Sequence, residues 1–342
     1  MVGRHVDVIA LYRKACEHDT ALSGFYNRNV RVESGHGPVM VRVPTPGAET
    51  MDLAIWPEHE LLDAIGPYVP AAPRLMHASI DPPFQIQEFI EGSLLDEAHP
   101  VGQALPDAIL EDIAAFFSQL LDTPGGKLPG TPADWPQDGD VAGFAGLLFR
   151  LVRDIRHRGD EATARLYRDL GVPHDPCALL ARQVTKLGAR PFRLLHADIH
   201  RKNVILGAGR TVLLDWELAL WGDPLYDLAD HLHKMSYLPA EEERMIAAWA
   251  RLAPPECRIE WEEDLPFYRA YERMKSAVVD TVRWARLIAS SATSAERRTY
   301  SIQLADKLDA ARPCWTPVTD AVPSPGDIER AADRWRAANS TG

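Results

Sequence analysis

Two periodicities divide this chain. Val39, Val41 and Val43 fall on one side of a short run, with Met40 and Arg42 on the other. Such alternation predicts a strand, and with Val30-Arg31-Val32 before the turn Gly35-His36-Gly37-Pro38 it predicts a β-hairpin. A short helical pattern precedes it at 6–16. Residues 57–65 read as a helix with an acidic first turn, and 84–92 as a strand that stops at a glycine. Beyond residue 92 the period lengthens. Ile109, Leu110, Ile113, Phe116, Phe117, Leu120 and Leu121 make one helical stripe within 106–122. Residues 123–143, rich in Pro, Gly and Asp, read as a surface loop, and 144–170 and 177–187 as further helical stretches. Glu260 opens a long helix through Trp284. After a proline-rich segment at 313–325, a short helix follows to Ala338. The expected class is α+β and bilobal, with a small β-rich N-terminal lobe at 1–92 and a larger helical C-terminal lobe at 93–342.

One stretch breaks the helical half. Leu194-Leu195 is a short apolar run ending at His196-Ala197-Asp198. Val204-Ile205-Leu206 and Thr211-Val212-Leu213-Leu214 are two strand-like runs around Gly207-Ala208-Gly209-Arg210, which reads as a hairpin turn. Asn203 then stands where one strand starts, and Asp215 where its partner ends. These ends lie side by side in an antiparallel pair. An amide oxygen and a carboxylate there suit Mg²⁺, a hard cation that takes oxygen ligands and shares its shell with phosphates. Asp198, on the preceding loop, is placed to orient an attacking hydroxyl or accept its proton. A single Asp after a strand is usually a cap or turn residue, and His-x-Asp alone means little. The full set, in its hairpin context, points to phosphotransfer.

The segments HADIHRKN and DWELALWGDPLYDLA resemble the aminoglycoside phosphotransferase and choline kinase-like family, relatives of the protein kinases. Ala197 stands where glycine is common in that family. The resemblance implies a protein-kinase-like fold, Asp198 as catalytic base, and Asn203 and Asp215 as magnesium ligands. His196 and Asp227 would brace the loop. It implies a nucleotide, ATP or GTP, under the N-terminal hairpin. Gly24 and Asn27 would belong to the phosphate loop, Arg42 would grip phosphate, and Glu58 (Glu60 as runner-up) would pair with Arg42. Met40 would cover the base, backbone groups near Glu88 and Ile90 would meet its edge, and Ile205 would floor the pocket. Each has a plain alternative: a turn glycine, an exposed strand arginine, a helix-dipole glutamate, a core isoleucine.

The net charge of −12 argues against nucleic acid or an anionic membrane as partner. It is compatible with a cationic small-molecule hydroxyl acceptor. Trp216 and Glu217 would sit at the cleft mouth, Asp230 close by, and Glu263, Tyr268 and Tyr271 on the long helix are candidates for an amine-bearing acceptor. Core packing is the commoner use of such aromatics. The four cysteines show no metal-type or disulfide spacing, no run is long enough to span a membrane, and no secretory leader is expected. A cytoplasmic kinase acting on an antibiotic hydroxyl, and so conferring resistance, is the leading expectation. A choline, ethanolamine or sugar kinase is the nearest rival, and a nucleotide-binding pseudokinase the alternative of another class.

Overall fold

The computed structural model describes residues 7–17, 22–23, 27–46, 53–315 and 321–339. Gly24 therefore lies outside the described residues. The chain forms two compact units, one of Met1–Trp135 with Phe192–Arg258 and one of Pro136–Pro191 with Ile259–Gly342. This division differs from a boundary at residues 92 and 93. Residues 107–122 pack on 193–195, 210–213 and 239–252, which keeps them in the first unit.

The first unit begins with α1 (Val8–Glu17), β1 (Leu22–Ser23), β2 (Asn27–Ser34) and β3 (Gly37–Pro44). Then come α2 (Glu58–Ile65), β4 (Leu75–Ile80), β5 (Pro83–Glu88), β6 (Gly92–Leu94), α3 (Leu95–Ala98) and α4 (Asp107–Asp122). The five-stranded sheet is antiparallel, in the order β1-β2-β3-β5-β4. Alternation gives it two faces. Val30, Val32, Val39, Val41, Phe84 and Ile86 pack as a core with Leu11 and Ala15 of α1. Arg42 pairs across the ladder with Asn29 and Gln85, and Met40 with Gln87, so these residues share the opposite face.

The chain leaves this unit for α5 (Val141–His157) and α6 (Glu161–Asp169), where one helical stretch from 144 to 170 was expected. Gly159, at φ +101, and Asp160, which caps α6 through Thr163 N–H, break it. Residues 177–187 hold only short 3₁₀ turns instead of a helix.

Back in the first unit, β7 (Arg193–Leu195) leads to β8 (Val204–Gly207), β9 (Arg210–Leu213) and β10 (Leu220–Gly222), followed by α7 (Pro224–Met235) and α8 (Pro239–Leu252). The β8–β9 hairpin turns through Ala208-Gly209, with Gly209 at φ +93. β6 runs beside β8, and β10 beside β7. Gly92 makes the β6–β8 approach possible: a Cβ there would meet the Leu206 carbonyl and lie 2.9 Å from Ile205 Cγ2. α7 starts with Asp223 accepting Leu225 N–H at 3.1 Å and Pro224 in the first turn.

The second unit is helical. Besides α5 and α6 it holds α9 (Trp261–Ser290), α10 (Ser294–Ala311) and α11 (Pro325–Asn339). Its core takes Phe144, Leu148 and Val152 from α5 and Tyr268, Tyr271, Met274 and Val278 from α9. Buried Arg190 reaches Asp264 at 2.7 Å near the start of α9. No described helix is long and apolar enough to cross a membrane.

Candidate active site

The loop after β7 carries the densest chemistry. Ala197 adopts φ +60, a left-handed conformation that costs an alanine about 1 kcal/mol. Asp227, on the first turn of α7, secures it: one carboxylate oxygen accepts His196 N–H at 3.1 Å and the other Ala197 N–H at 2.7 Å. His196 is fully buried; its Nε2 lies 3.0 Å from the Leu214 carbonyl and its ring packs edge-on against Trp216. Burial lowers its pKa to about 4, so the ring is neutral and structural.

The shape of this loop presents Asp198 with both oxygens engaged. Lys234 of α7 donates to Oδ1 at 2.7 Å, Asn203 Nδ2 donates to Oδ2 at 2.8 Å, and His200 Nε2 stands 3.4 Å from Oδ2. Burial opposes ionisation of Asp198, but Lys234 and His200 outweigh it and hold the pKa well below the ordinary carboxylate range. The group is an anion poised to accept a hydrogen bond.

Asn203 and Asp215 are brought together by the β8–β9 ladder. Val204 pairs with Leu213, and Leu214 N–H donates to the Asn203 carbonyl at 2.7 Å. Asp215 itself is left-handed, at φ +67, which turns the chain out of the strand at this point. Its Oδ1 meets Arg42 Nη2 at 2.6 Å. Arg42 is buried, and its Nε lies 3.1 Å from Glu58 Oε2. Burial works against the Arg42 charge, but Glu58, Asp215 and Glu217 more than offset it and raise its pKa. Glu58 is held in turn by the Gln85 amide and, at 3.0 Å, by Trp216 N–H. Glu60 is exposed, so the structure separates these two first-turn glutamates.

Glu217 receives the Asn27 amide at 2.5 Å, which ties the start of β2 to this segment. Burial and then Asp215 push Glu217 up to about 8, so its 3.6 Å contact with Arg42 is the weakest of the three. Among the described residues, no three His, Cys, Asp or Glu side chains converge as a self-contained metal centre. The Asn203 and Asp215 donors nevertheless fit Mg²⁺, because phosphates and water supply most of that ion's shell.

Met40 and Ile205 are both half-buried; Met40 lies opposite Gln87, and Ile205 opposite Leu94 and Val212. Residues 89–91, including Ile90, connect β5 to β6 outside both ladders. Glu88 closes β5; its backbone N–H donates to Arg74 O at 3.0 Å and its carboxylate meets Arg210 at 2.5 Å.

Four of the acceptor-site expectations need correction. The Trp216 side chain is buried, with Nε1 donating to Leu213 O at 2.8 Å, so it does not line a mouth. Asp230 is fully buried and ion-paired with Lys234 at 2.9 Å. Tyr268 and Tyr271 are core residues of the second unit, the latter donating to Leu148 O at 3.2 Å. Glu263 is exposed on α9. Lys234, Gln85 and the Asn27–Glu217 link escaped the sequence reading. The Asp230-to-Lys234 spacing of four on a helix is the signal that would have marked Lys234.

The fold is that of the kinase-like phosphotransferases, mixed α+β, with a small sheet-containing N-terminal region and a predominantly helical remainder. The chain belongs to the family described as the phosphotransferase enzyme family, APH, whose family model matches residues 20–261. No curated protein sequence matches it significantly. Among solved structures, an ethanolamine kinase of Plasmodium vivax is 16% identical, with a TM-score of 0.55 over 86% of this chain and 82% of its own. The choline kinase LicA of Streptococcus pneumoniae is 14% identical, with a TM-score of 0.55 over 89% of this chain and 99% of its own; LicA has also been solved in complex with AMP. A thermostable mutant of the aminoglycoside phosphotransferase APH(4)-Ia is 16% identical, with a TM-score of 0.54 over 86% of this chain and 94% of its own.

Proposed function

We propose that this protein is a small-molecule kinase that moves the γ-phosphoryl group of ATP to a hydroxyl of an antibiotic. The observation that carries the phosphotransfer reading is the arrangement of Asp198, Asn203, Asp215 and Arg42 on one loop, one hairpin and the facing strand. ATP is preferred over GTP because the fold neighbour LicA has been captured with AMP. The adenine would meet the linker at 88–90, between Met40 and Ile205.

Asp198 receives the acceptor hydroxyl as a hydrogen-bond donor and orients its oxygen towards the γ-phosphorus. As the new O–P bond forms and the bond to the β-phosphate oxygen breaks, the hydroxyl proton passes to Asp198. A loose transition state demands little covalent help, so positioning carries most of the catalysis. Arg42 holds phosphate oxygens, and Glu58 keeps it pointed there. Mg²⁺, held by Asn203 and Asp215, would neutralise phosphate charge when bound.

A choline- or ethanolamine-type acceptor is the second reading. It is favoured by arginine as the phosphate-gripping cation and by the Asn27-Arg28-Asn29 stretch, which lean towards the choline kinase-like branch. The deciding experiment is a coupled ATP-turnover assay with Mg²⁺, repeated with GTP, against aminoglycoside, peptide and nucleoside antibiotics, choline and ethanolamine. Mass spectrometry would detect a gain of one phosphoryl group. Asp198→Ala is expected to lower turnover by about 10²–10⁴-fold. A phosphorylated antibiotic supports the first reading and phosphocholine or phosphoethanolamine the second. Nucleotide binding without any turnover would replace both with a binding module.

A further inference from the structure

Lys234 stands in the last turn of α7, four residues beyond Asp230. Its ammonium faces three oxygens: Asp198 Oδ1 at 2.7 Å, Asp230 Oδ2 at 2.9 Å and Ala197 O at 3.0 Å. It donates hydrogen bonds to Asp198 and Ala197 and forms an ion pair with Asp230. The three contacts differ in kind. Asp230 is fully buried, so its pairing neutralises a charge inside the unit. The Ala197 carbonyl belongs to the left-handed residue just before Asp198. Asp198 is the group that would meet the acceptor hydroxyl.

The other carboxylate oxygen of Asp198 is fixed from the opposite side by Asn203 Nδ2 at 2.8 Å. A carboxylate has about four lone-pair positions, so a substrate hydroxyl can be accepted without displacing either donor. The side chains of Lys234 and Asp198 are 24% and 18% exposed, so the pair borders solvent. A lysine serving Asp230 alone would have no need to reach across to the loop.

We propose that Lys234 is a positioning residue for phosphoryl transfer, clamping the Asp198 carboxylate together with Asn203 in the orientation that receives the acceptor hydroxyl. The inference rests on the kinase reading above. Without the ammonium, Oδ1 loses its anchor and the carboxylate can rotate about its Cα–Cβ bond. Misplacement of a reacting group by about 1 Å costs on the order of 10²-fold in rate. Nucleotide binding should be spared, since Arg42 is held by Glu58 of α2 and by Asp215 after β9, neither of which touches Lys234.

The test uses the full chain in four forms: wild type, Lys234→Met, Lys234→Met with Asp230→Asn, and Lys234→Arg. The double variant avoids leaving a bare buried carboxylate. ATP affinity is measured by calorimetry, kcat with the acceptor found above or with water as acceptor, and the Asp198 rotamer by crystallography. The Met variants are expected to lose about 10²-fold in kcat, at an ATP Kd within about two-fold of wild type. Lys234→Arg keeps the charge but cannot place one nitrogen among three oxygens, and should fall about ten-fold below wild type. Asp198 should be rotated off Asn203 in the Met variants. A kcat within about three-fold of wild type in the Met variants, or an unmoved Asp198, overturns the proposal. Should the Met variants fail to fold, wild-type kcat in Lys234→Arg overturns it and the ten-fold loss supports it. If the wild type moves no phosphoryl group at all, the kinase reading falls, and the Asp198 rotamer alone decides whether Lys234 holds that carboxylate.

Discussion

Replacing Arg42 by methionine removes the cation that Glu58, Asp215 and Glu217 share. The three carboxylates do not weigh equally. The Glu58 side chain is 4% exposed, whereas Asp215 and Glu217 retain 27% and 17% and keep some contact with water. Breaking a buried pair costs about 3–5 kcal/mol because the surviving charge is left without compensation. Glu58 keeps Trp216 N–H at 3.0 Å and the Gln85 amide, which favours the low end, about 3 kcal/mol. Burial already raises the Glu58 pKa against the pull of Arg42, so in the variant it rises further. A carboxylate whose folded pKa lies above its unfolded value contributes most below the unfolded pKa, and that contribution is lost as pH rises through the folded pKa. Arg42→Met should therefore be destabilised more at pH 8 than at pH 5.5. Urea unfolding followed by tryptophan fluorescence would read this, since Trp56 and Trp216 are buried in the first unit. Adding Glu58→Gln should restore part of the loss, because the group left without a partner is then neutral. A cost below about 1 kcal/mol at pH 8, or one that does not change with pH, would refute the account of Arg42 as the shared counter-ion.

Three further outcomes are expected. Gly92→Ala forces a Cβ to 2.9 Å from Ile205 Cγ2 and against the Leu206 carbonyl, and should cost about 1–3 kcal/mol in a thermal melt and raise the KM for ATP. Asp227→Ala leaves the His196 and Ala197 N–H groups without their acceptor; a loss of about 1–3 kcal/mol, with a larger proportional fall in kcat than in nucleotide affinity, is the result to look for. His196 and His231 are both fully buried and both lowered to about 4 by burial, so each supports the fold above the unfolded value near 6.5. That support is withdrawn as pH falls from about 6.5 to 4, on the order of 3 kcal/mol per ring, and a stability profile flat across that window would contradict it.

Local signals carried much of the architecture. The alternation at Val39–Val43 and the Gly-rich turn at 207–210 appear as the strands of the N-terminal hairpin and the β8–β9 pair. Their legibility follows from short range: cross-strand neighbours there are close in sequence. The juxtaposition of Arg42 with Asp215 spans 173 positions, and the resemblance to a family gave Arg42 a phosphate role and Asp215 a magnesium role without pairing them. Aromatics on α9 were ambiguous because a helix stripe looks the same whether it faces a core or a ligand, and burial of Tyr268 and Tyr271 decides for the core. The contact of Lys234 with Asp198 was hidden for a different reason. The partner of Lys234 in sequence is Asp230, and nothing local announces that its ammonium also reaches Asp198.

Ala197 holds a backbone conformation for which a glycine would be the ordinary choice. Its N–H is fastened by Asp227 and its carbonyl by Lys234, both from α7. The shape of the loop is thus dictated from outside by a helix instead of being tolerated from within by a flexible residue. Position 197 is thereby released from the need for glycine, while α7 becomes the element whose sequence cannot drift freely. A side chain at 197 also narrows what the loop can do when the helix holds it, so the loop and α7 should open and close together as one cooperative piece of the chain.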